Sequence, residues 1–239
     1  VRRIAAIFGS GFIYTLSLAI LYRALKSSEA SRVFPIYHTA PIFVAIIAVL
    51  FLGEVLSFGQ WGAIVVTVGG AVLISVERAI GGKGVRIGRA ILILLLAAAM
   101  AAVGQALAGY ALEEISPYTG FWAQRFGALS IVILFFRKST FKEMVVTARN
   151  PVGMGVIILT EAVIMPIGHL FFLQAFQEGD VALVATVYAT VPIWVFVISS
   201  VLSLPWFNIM QEQIGRGAIV QKGIATVMVV IGIVGINLL

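Results

Sequence analysis

The chain has 239 residues, 61% hydrophobic and 11% charged, with a net charge of +6 and a mean hydropathy of +1.10. A soluble domain of this size cannot hide so much apolar surface, whereas lipid solvates it, so the composition specifies an all-α integral membrane protein; the apolar runs are too long and unalternating for a barrel. The absence of cysteine excludes disulfides and thiolate metal sites, and basic residues scattered between apolar runs read as topology signals, not as a nucleic-acid footprint.

In chain order, Val1-Arg2-Arg3 runs directly into apolar sequence with no leader ending in a small-residue cleavage site, and is expected to continue a longer N-terminal portion. A helix needs about 20 apolar residues to cross ~30 Å of hydrocarbon. Eight stretches qualify, approximately 4–25, 33–52, 60–77, 91–112, 118–136, 152–176, 181–204 and 218–238. Ser27-Ser28-Glu29-Ala30-Ser31 and Gln177-Glu178-Gly179-Asp180 are turn-like, and the longest connections are 78–90, with Gly81-Gly82-Lys83-Gly84, and 137–151.

Within these stretches a segment recurs. Tyr37-His38-Thr39-Ala40-Pro41-Ile42 returns 151 residues later as Tyr188-Ala189-Thr190-Val191-Pro192-Ile193, and 24–47 aligned with 175–198 gives eight identities in 24 positions. Composition alone would give roughly two or three, so duplication is the better explanation. The first three stretches then correspond to the last three. Five crossings separate the copies, an odd number, so the copies run in opposite directions across the bilayer, as in transporter folds built from inverted repeats. This divides the chain into a partial first repeat at 1–77, a linker at 78–90 and a five-helix second repeat at 91–239. A complete version would be five plus five.

Several further marks accompany the repeat. Tyr22-Arg23-Ala24-Leu25 ends the first stretch, Pro41 lies within the second, Phe51-Leu52-Gly53-Glu54 closes it, and Gln60-Trp61-Gly62 and Gly69-Gly70 follow. The second copy carries Pro192, Gln221-Lys222-Gly223 and Gly232, and Gln124-Arg125-Phe126 opens onto Ala128-Leu129. In order and spacing, over nearly the whole chain, this resembles the drug/metabolite transporter superfamily, EamA type. The resemblance implies a ten-helix fold lacking its first two helices here. The second copy also departs from the pattern, with Glu212 in a longer connection where a Gly-Glu pair is expected.

Positive charge marks the cytoplasmic side. The loops after the first, third, fifth and seventh stretches hold twelve basic residues, whereas the other side holds Arg2 and Arg3 with Glu54, Glu113, Glu114, Glu178 and Asp180. The charge rule puts the twelve inside and the C-terminus outside; a ten-helix family member with both ends cytoplasmic implies the opposite.

Charged residues at membrane depth are costly and therefore candidates for function. Arg125 sits about 10 Å into its stretch and suits an anionic-substrate contact or a gate, against a snorkelling or capping role. Glu161 and His169, eight residues apart, fall near one helical face, with Glu161 roughly 12 Å beyond His169, so that Arg125, His169 and Glu161 form a feasible polar track. Glu161 suits a coupling proton or a structural ion pair; His169 suits a relay or an interhelical hydrogen bond. Tyr37 and Tyr188 are gates or interfacial aromatics. Pro41 and Pro192, about eight residues into their stretches, are expected to bend them, for binding or for packing. Trp122, Trp194 and Gln105 suit an apolar cavity with a few polar anchors. Gly62, Gly69, Gly70, Gly223 and Gly232 read as close helix packing.

These readings favour a secondary transporter, an exporter or exchanger of small metabolites or drug-like molecules, working by alternating access in the plasma membrane and needing no cofactor or metal. A homodimer is compatible with it. The alternatives are a non-transporting scaffold, an inactive truncated transporter, and an integral-membrane lipid-modifying enzyme. The last generally requires clustered carboxylates for Mg²⁺ and diphosphate, yet the chain has one Asp and no paired acidic motif at depth. A phosphate-binding Gly-Lys-Ser/Thr loop is also missing.

Overall fold

The computed structural model describes residues 1–25, 33, 36–75, 89–136, 141, 145, 148–191, 193, 194, 198 and 216–238. Their regular structure is helical throughout, with no strand among them: α1 (Arg2–Leu25), α2 (Ala40–Leu52), α3 (Phe58–Ser75), α4 (Arg89–Leu112), α5 (Pro117–Phe135), α6 (Pro151–Glu178), α7 (Val181–Tyr188) and α8 (Arg216–Leu238). Among the described residues α1, α6 and 91–112 of α4 are long and apolar enough to cross a membrane, and α2, α3 and α8 contribute shorter apolar segments. The protein is a multi-pass membrane protein.

Local chemistry sets the helix starts. Ser57 and Gln60 form a reciprocal capping box before α3: the Ser57 hydroxyl accepts the Gln60 amide at 3.1 Å and the Gln60 side chain accepts the Ser57 amide at 2.9 Å. Ser116 and Asn150 cap α5 and α6 with their side chains, each followed by a proline at the first position, where no donor is required. Two helices widen into π-geometry, α2 over Ala48–Leu52 and α6 over Ile158–Ile164. Gly53, at φ 74°, ends α2 in the left-handed conformation that favours glycine.

The chain forms two compact units. One comprises 1–16 and 104–179; the other comprises 17–103 and 180–239. Each draws on residues from before and after 78–90.

In the first unit, α1 and α5 meet backbone to backbone. A Cβ on Gly11 would collide with the Gln124 carbonyl, and one on Gly127 with the Phe8 carbonyl. Contacts 11–124 and 8–127 advance on one helix as they retreat on the other, so the two run antiparallel. Gly104 of α4 approaches α1 less closely, with Ser10 O 3.2 Å from its missing Cβ. Arg3 then fastens the start of α1 to the end of α4. Its guanidinium lies over the Tyr110 ring at 3.7 Å, donates to the Tyr110 carbonyl, and pairs with Glu113 at 2.9 Å and Glu114 at 2.8 Å. From α6, Gln177 donates to the Leu112 carbonyl at 3.1 Å.

In the second unit, α3 and α8 pack antiparallel through glycines placed reciprocally. A Cβ on Gly70 would lie 2.7 Å from Val229 and 2.8 Å from the Ala225 carbonyl, and one on Gly232 would strike Thr67 and the Ala63 carbonyl. Ala45 and Ala48 of α2, Ile64 and Val68 of α3 and Ala182 of α7 form one buried cluster. Leu21, Val33 and Leu94 form another, against which Tyr37 packs. The close-packing expectation holds at Gly70 and Gly232. It fails at Gly62 and Gly223, where an added Cβ meets open space.

Candidate functional site

Two places concentrate unusual backbone or polar chemistry at membrane depth. The first is the recurring Tyr-x-Thr-x-Pro-Ile segment in the second unit. Pro41 was expected deep in a continuous helix. Instead the helix breaks at His38 and Thr39, and buried Pro41 lies in the first turn of α2, where its missing N–H costs nothing. The break is stitched by tight three-residue bonds: Thr39 N–H donates to Ile36 O at 3.2 Å and Ile42 N–H to Thr39 O at 3.1 Å. The second copy repeats them, Thr190 N–H to Val187 O at 3.0 Å and Ile193 N–H to Thr190 O at 2.8 Å. Pro192 itself lies outside the described residues.

The two tyrosines differ in surroundings. Tyr37 is half-buried, its hydroxyl 3.3 Å from Ser17 Oγ. Ser17 donates to the Ala97 carbonyl at 2.7 Å, so the Tyr37 hydroxyl is the donor of that pair. Tyr188 is exposed at the end of α7.

Glu54 acts at the start of α7. Asp180 occupies the N-cap position of α7 but makes no side-chain cap. The Glu54 carboxylate, arriving from the end of α2, accepts Val181 N–H at 2.6 Å and Ala182 N–H at 3.1 Å. The Gly53-Glu54 pair thus has two tasks: the glycine turns the chain out of α2, and the glutamate satisfies two orphan donors of α7. Burial pushes the Glu54 carboxyl above its ordinary value, against the opposing pull of the two amides.

The second place is in the first unit, where α5 and α6 face each other. Gln124 Nε2 donates to the fully buried Ser10 at 2.7 Å. Its Oε1 therefore faces His169 as an acceptor, and His169 Nε2 donates the bond at 2.6 Å. This three-residue chain joins α1, α5 and α6 and leaves the Gln124 amide paired at both ends, as burial requires. Around it the Phe121 ring lies 5.8 Å from His169, 5.4 Å from Trp122 in an edge-on contact, and 5.0 Å from the Arg125 guanidinium. Three expected site residues, Trp122, Arg125 and His169, therefore share one ring as neighbour. Nothing in the sequence signalled Gln124 or Phe121 in these roles.

Glu161 does not join this group. It is exposed in the π-segment of α6 and has no partner among the described residues. Trp194 is exposed. Gln105, expected to line a cavity, is buried, with its amide oxygen unpartnered among the described residues. Glu113 and Glu114 are both engaged by Arg3, an ion pair that the sequence reading did not anticipate.

Comparison with known proteins agrees with the resemblance seen in the sequence. Residues 1–76 match the sequence model of the EamA-like transporter family. An uncharacterized transporter in the cobO 3′ region of Sinorhizobium sp. is 39% identical over 67 residues, 28% of this chain and 48% of its own length. The chain thus spans about half the length of the curated relative it matches. A crystal structure of a protein at 17% identity superposes with a TM-score of 0.66, covering 98% of this chain and 75% of that one, which shows a shared fold.

Proposed function

With the EamA-like segment at residues 1–76 as premise, we propose that this protein is a secondary transporter that exports or exchanges small metabolites or drug-like molecules by alternating access across the plasma membrane. The observation that carries the reading is the helix break repeated at residues 36–42 and 187–193 with the same hydrogen bonds. Interrupted membrane helices, in corresponding positions of two repeats, are where transporter folds build substrate and ion sites. The antiparallel, reciprocal packing of α3 on α8 supports the inverted relation of the repeats, because an interface between two-fold-related elements pairs each surface with its own counterpart.

In this reading Pro41, Pro192, Tyr37 and Tyr188 belong to the two breaks, and Arg125, His169 and Trp122 to a substrate-facing group in the first unit. Glu161 is the coupling candidate, a carboxyl without a partner among the described residues on a π-segment, a geometry frequent at functional sites. The test is flux of amphipathic metabolites by the full-length protein in proteoliposomes under an imposed pH gradient. No flux across a broad panel, with Arg125→Ala and Glu161→Gln indistinguishable from wild type in cells, rejects the reading.

A further inference from the structure

The two arginines of the first unit that lie beside aromatic rings are in opposite situations. Arg3 is fully engaged by two carboxylates, a carbonyl and a tyrosine ring. Arg125, about 12 Å into α5 by the helical rise, has a phenylalanine ring beside it and no acceptor among the described residues. A guanidinium at that depth carries five donors, and leaving them unsatisfied is expensive in a low-dielectric setting. The nearest acid at membrane depth, Glu161, sits eight residues before His169 on α6, roughly 10–12 Å away along the axis. His169 is at the level of Phe121, so Glu161 is out of register with the cation.

The backbone of α5 at Arg125 is fixed nonetheless. Its neighbour Gln124 is bonded to both Ser10 and His169, and Gly127 presses α5 against α1. The exposed guanidinium, extending from this fixed backbone with donors but no acceptor among the described residues, is open to a ligand. Next to it the exposed Trp122 offers ring surface, backed edge-on by the buried Phe121.

We propose that Arg125 and the exposed Trp122 ring bind the acid group and the apolar body of an organic anion, and that this is the class of molecule the protein moves. The inference rests on the transport reading for its second half only; binding stands without it. A planar fork of donors suits a carboxylate or phosphonate bidentately, and the indole ring takes an aromatic or aliphatic body.

The experiment uses the full-length protein and three solutes of one shape: 3-phenylpropionate, 3-phenylpropylamine and 3-phenylpropanol. Ligand-dependent thermal stabilisation reads binding, and counterflow in proteoliposomes reads transport. The propionate is expected to stabilise the protein, the amine and alcohol at least tenfold more weakly. Arg125→Gln is expected to weaken the propionate more than tenfold, Arg125→Lys to restore part of it, and Trp122→Leu to weaken it severalfold, each melting near wild type without ligand. Equal or tighter binding of the amine or alcohol, no stabilisation by the propionate, or an Arg125→Gln affinity within twofold of wild type overturns the proposal. Flux of the amine or alcohol insensitive to Arg125→Gln overturns the anion assignment and leaves transport standing. Propionate binding without flux of any solute does the reverse.

Discussion

Replacing Gly11 by alanine places one methyl group where α1 and α5 touch, and the structure sets the consequence. The new Cβ would sit 2.7 Å from the Gln124 carbonyl carbon and 2.9 Å from its Cα, and closer still to the carbonyl oxygen. Carbon atoms in good contact are about 3.5–4.0 Å apart, so the helices must separate by roughly 1 Å. The obstacle is backbone, which cannot rotate away as a side chain does. Overpacking of this kind costs about 1–3 kcal/mol, and here it also loosens the Gly127 contact about one turn along the same seam. Since Gln124 moves with α5, its bonds to Ser10 and His169 lengthen together. The assay is the melting temperature of the purified protein in detergent, with Gly9→Ala as control. Gly9 is on the same helix two residues away, with nothing within 4 Å of its missing Cβ, so its replacement is expected to be neutral or to stabilise by up to about 1 kcal/mol. Gly11→Ala combined with Gly127→Ala is expected to cost less than the sum of the two, because one displacement relieves both clashes. A Gly11→Ala protein that melts with Gly9→Ala would refute the close approach of α1 and α5.

Two further substitutions test the second unit. Glu54→Ala removes both acceptors from the start of α7 and is expected to destabilise by about 1–3 kcal/mol, seen as a lower melting temperature. Because burial holds the Glu54 carboxyl above its ordinary value, the protonated form is the one that folding favours. Stability is therefore expected to fall as pH rises from the ordinary carboxyl range through that raised value, and the step should vanish in Glu54→Gln. Pro41→Ala is expected to destabilise by about 1–2 kcal/mol through lost packing and a looser unfolded chain. A proline straining a helix interior would instead yield a gain near 3 kcal/mol on removal, so a raised melting temperature would contradict the break at His38 and Thr39.

The candidate sites divide the same way between what was legible and what was not. The Tyr-x-Thr-x-Pro-Ile segment announced an irregularity, because proline limits the backbone wherever it stands; whether it bends a helix or starts one depends on whether the residues before it keep helical bonding, and at His38 and Thr39 they do not. The capping signals Ser57-x-x-Gln60, Ser116-Pro117 and Asn150-Pro151 were likewise written in neighbouring residues. The partnership of Gln124 with Ser10, 114 positions away, was not.

By itself the sequence determined that this is a helical membrane protein, where its apolar segments lie, that its first 76 residues are EamA-like, and that one segment recurs. Those properties follow from local composition: helix formation and solvation by lipid depend on the residues of the segment alone. The tertiary structure decided which glycines are contacts and which are not, that Glu54 caps α7, that Arg3 engages Glu113 and Glu114 while Arg125 has no acceptor among the described residues, and that Glu161 stands apart from His169. The reason is physical. A soluble helix displays its inward face as an apolar stripe, but a membrane helix is apolar on every side, so its rotation about its own axis, and with it every contact between distant segments, is set by packing that the sequence pattern does not display.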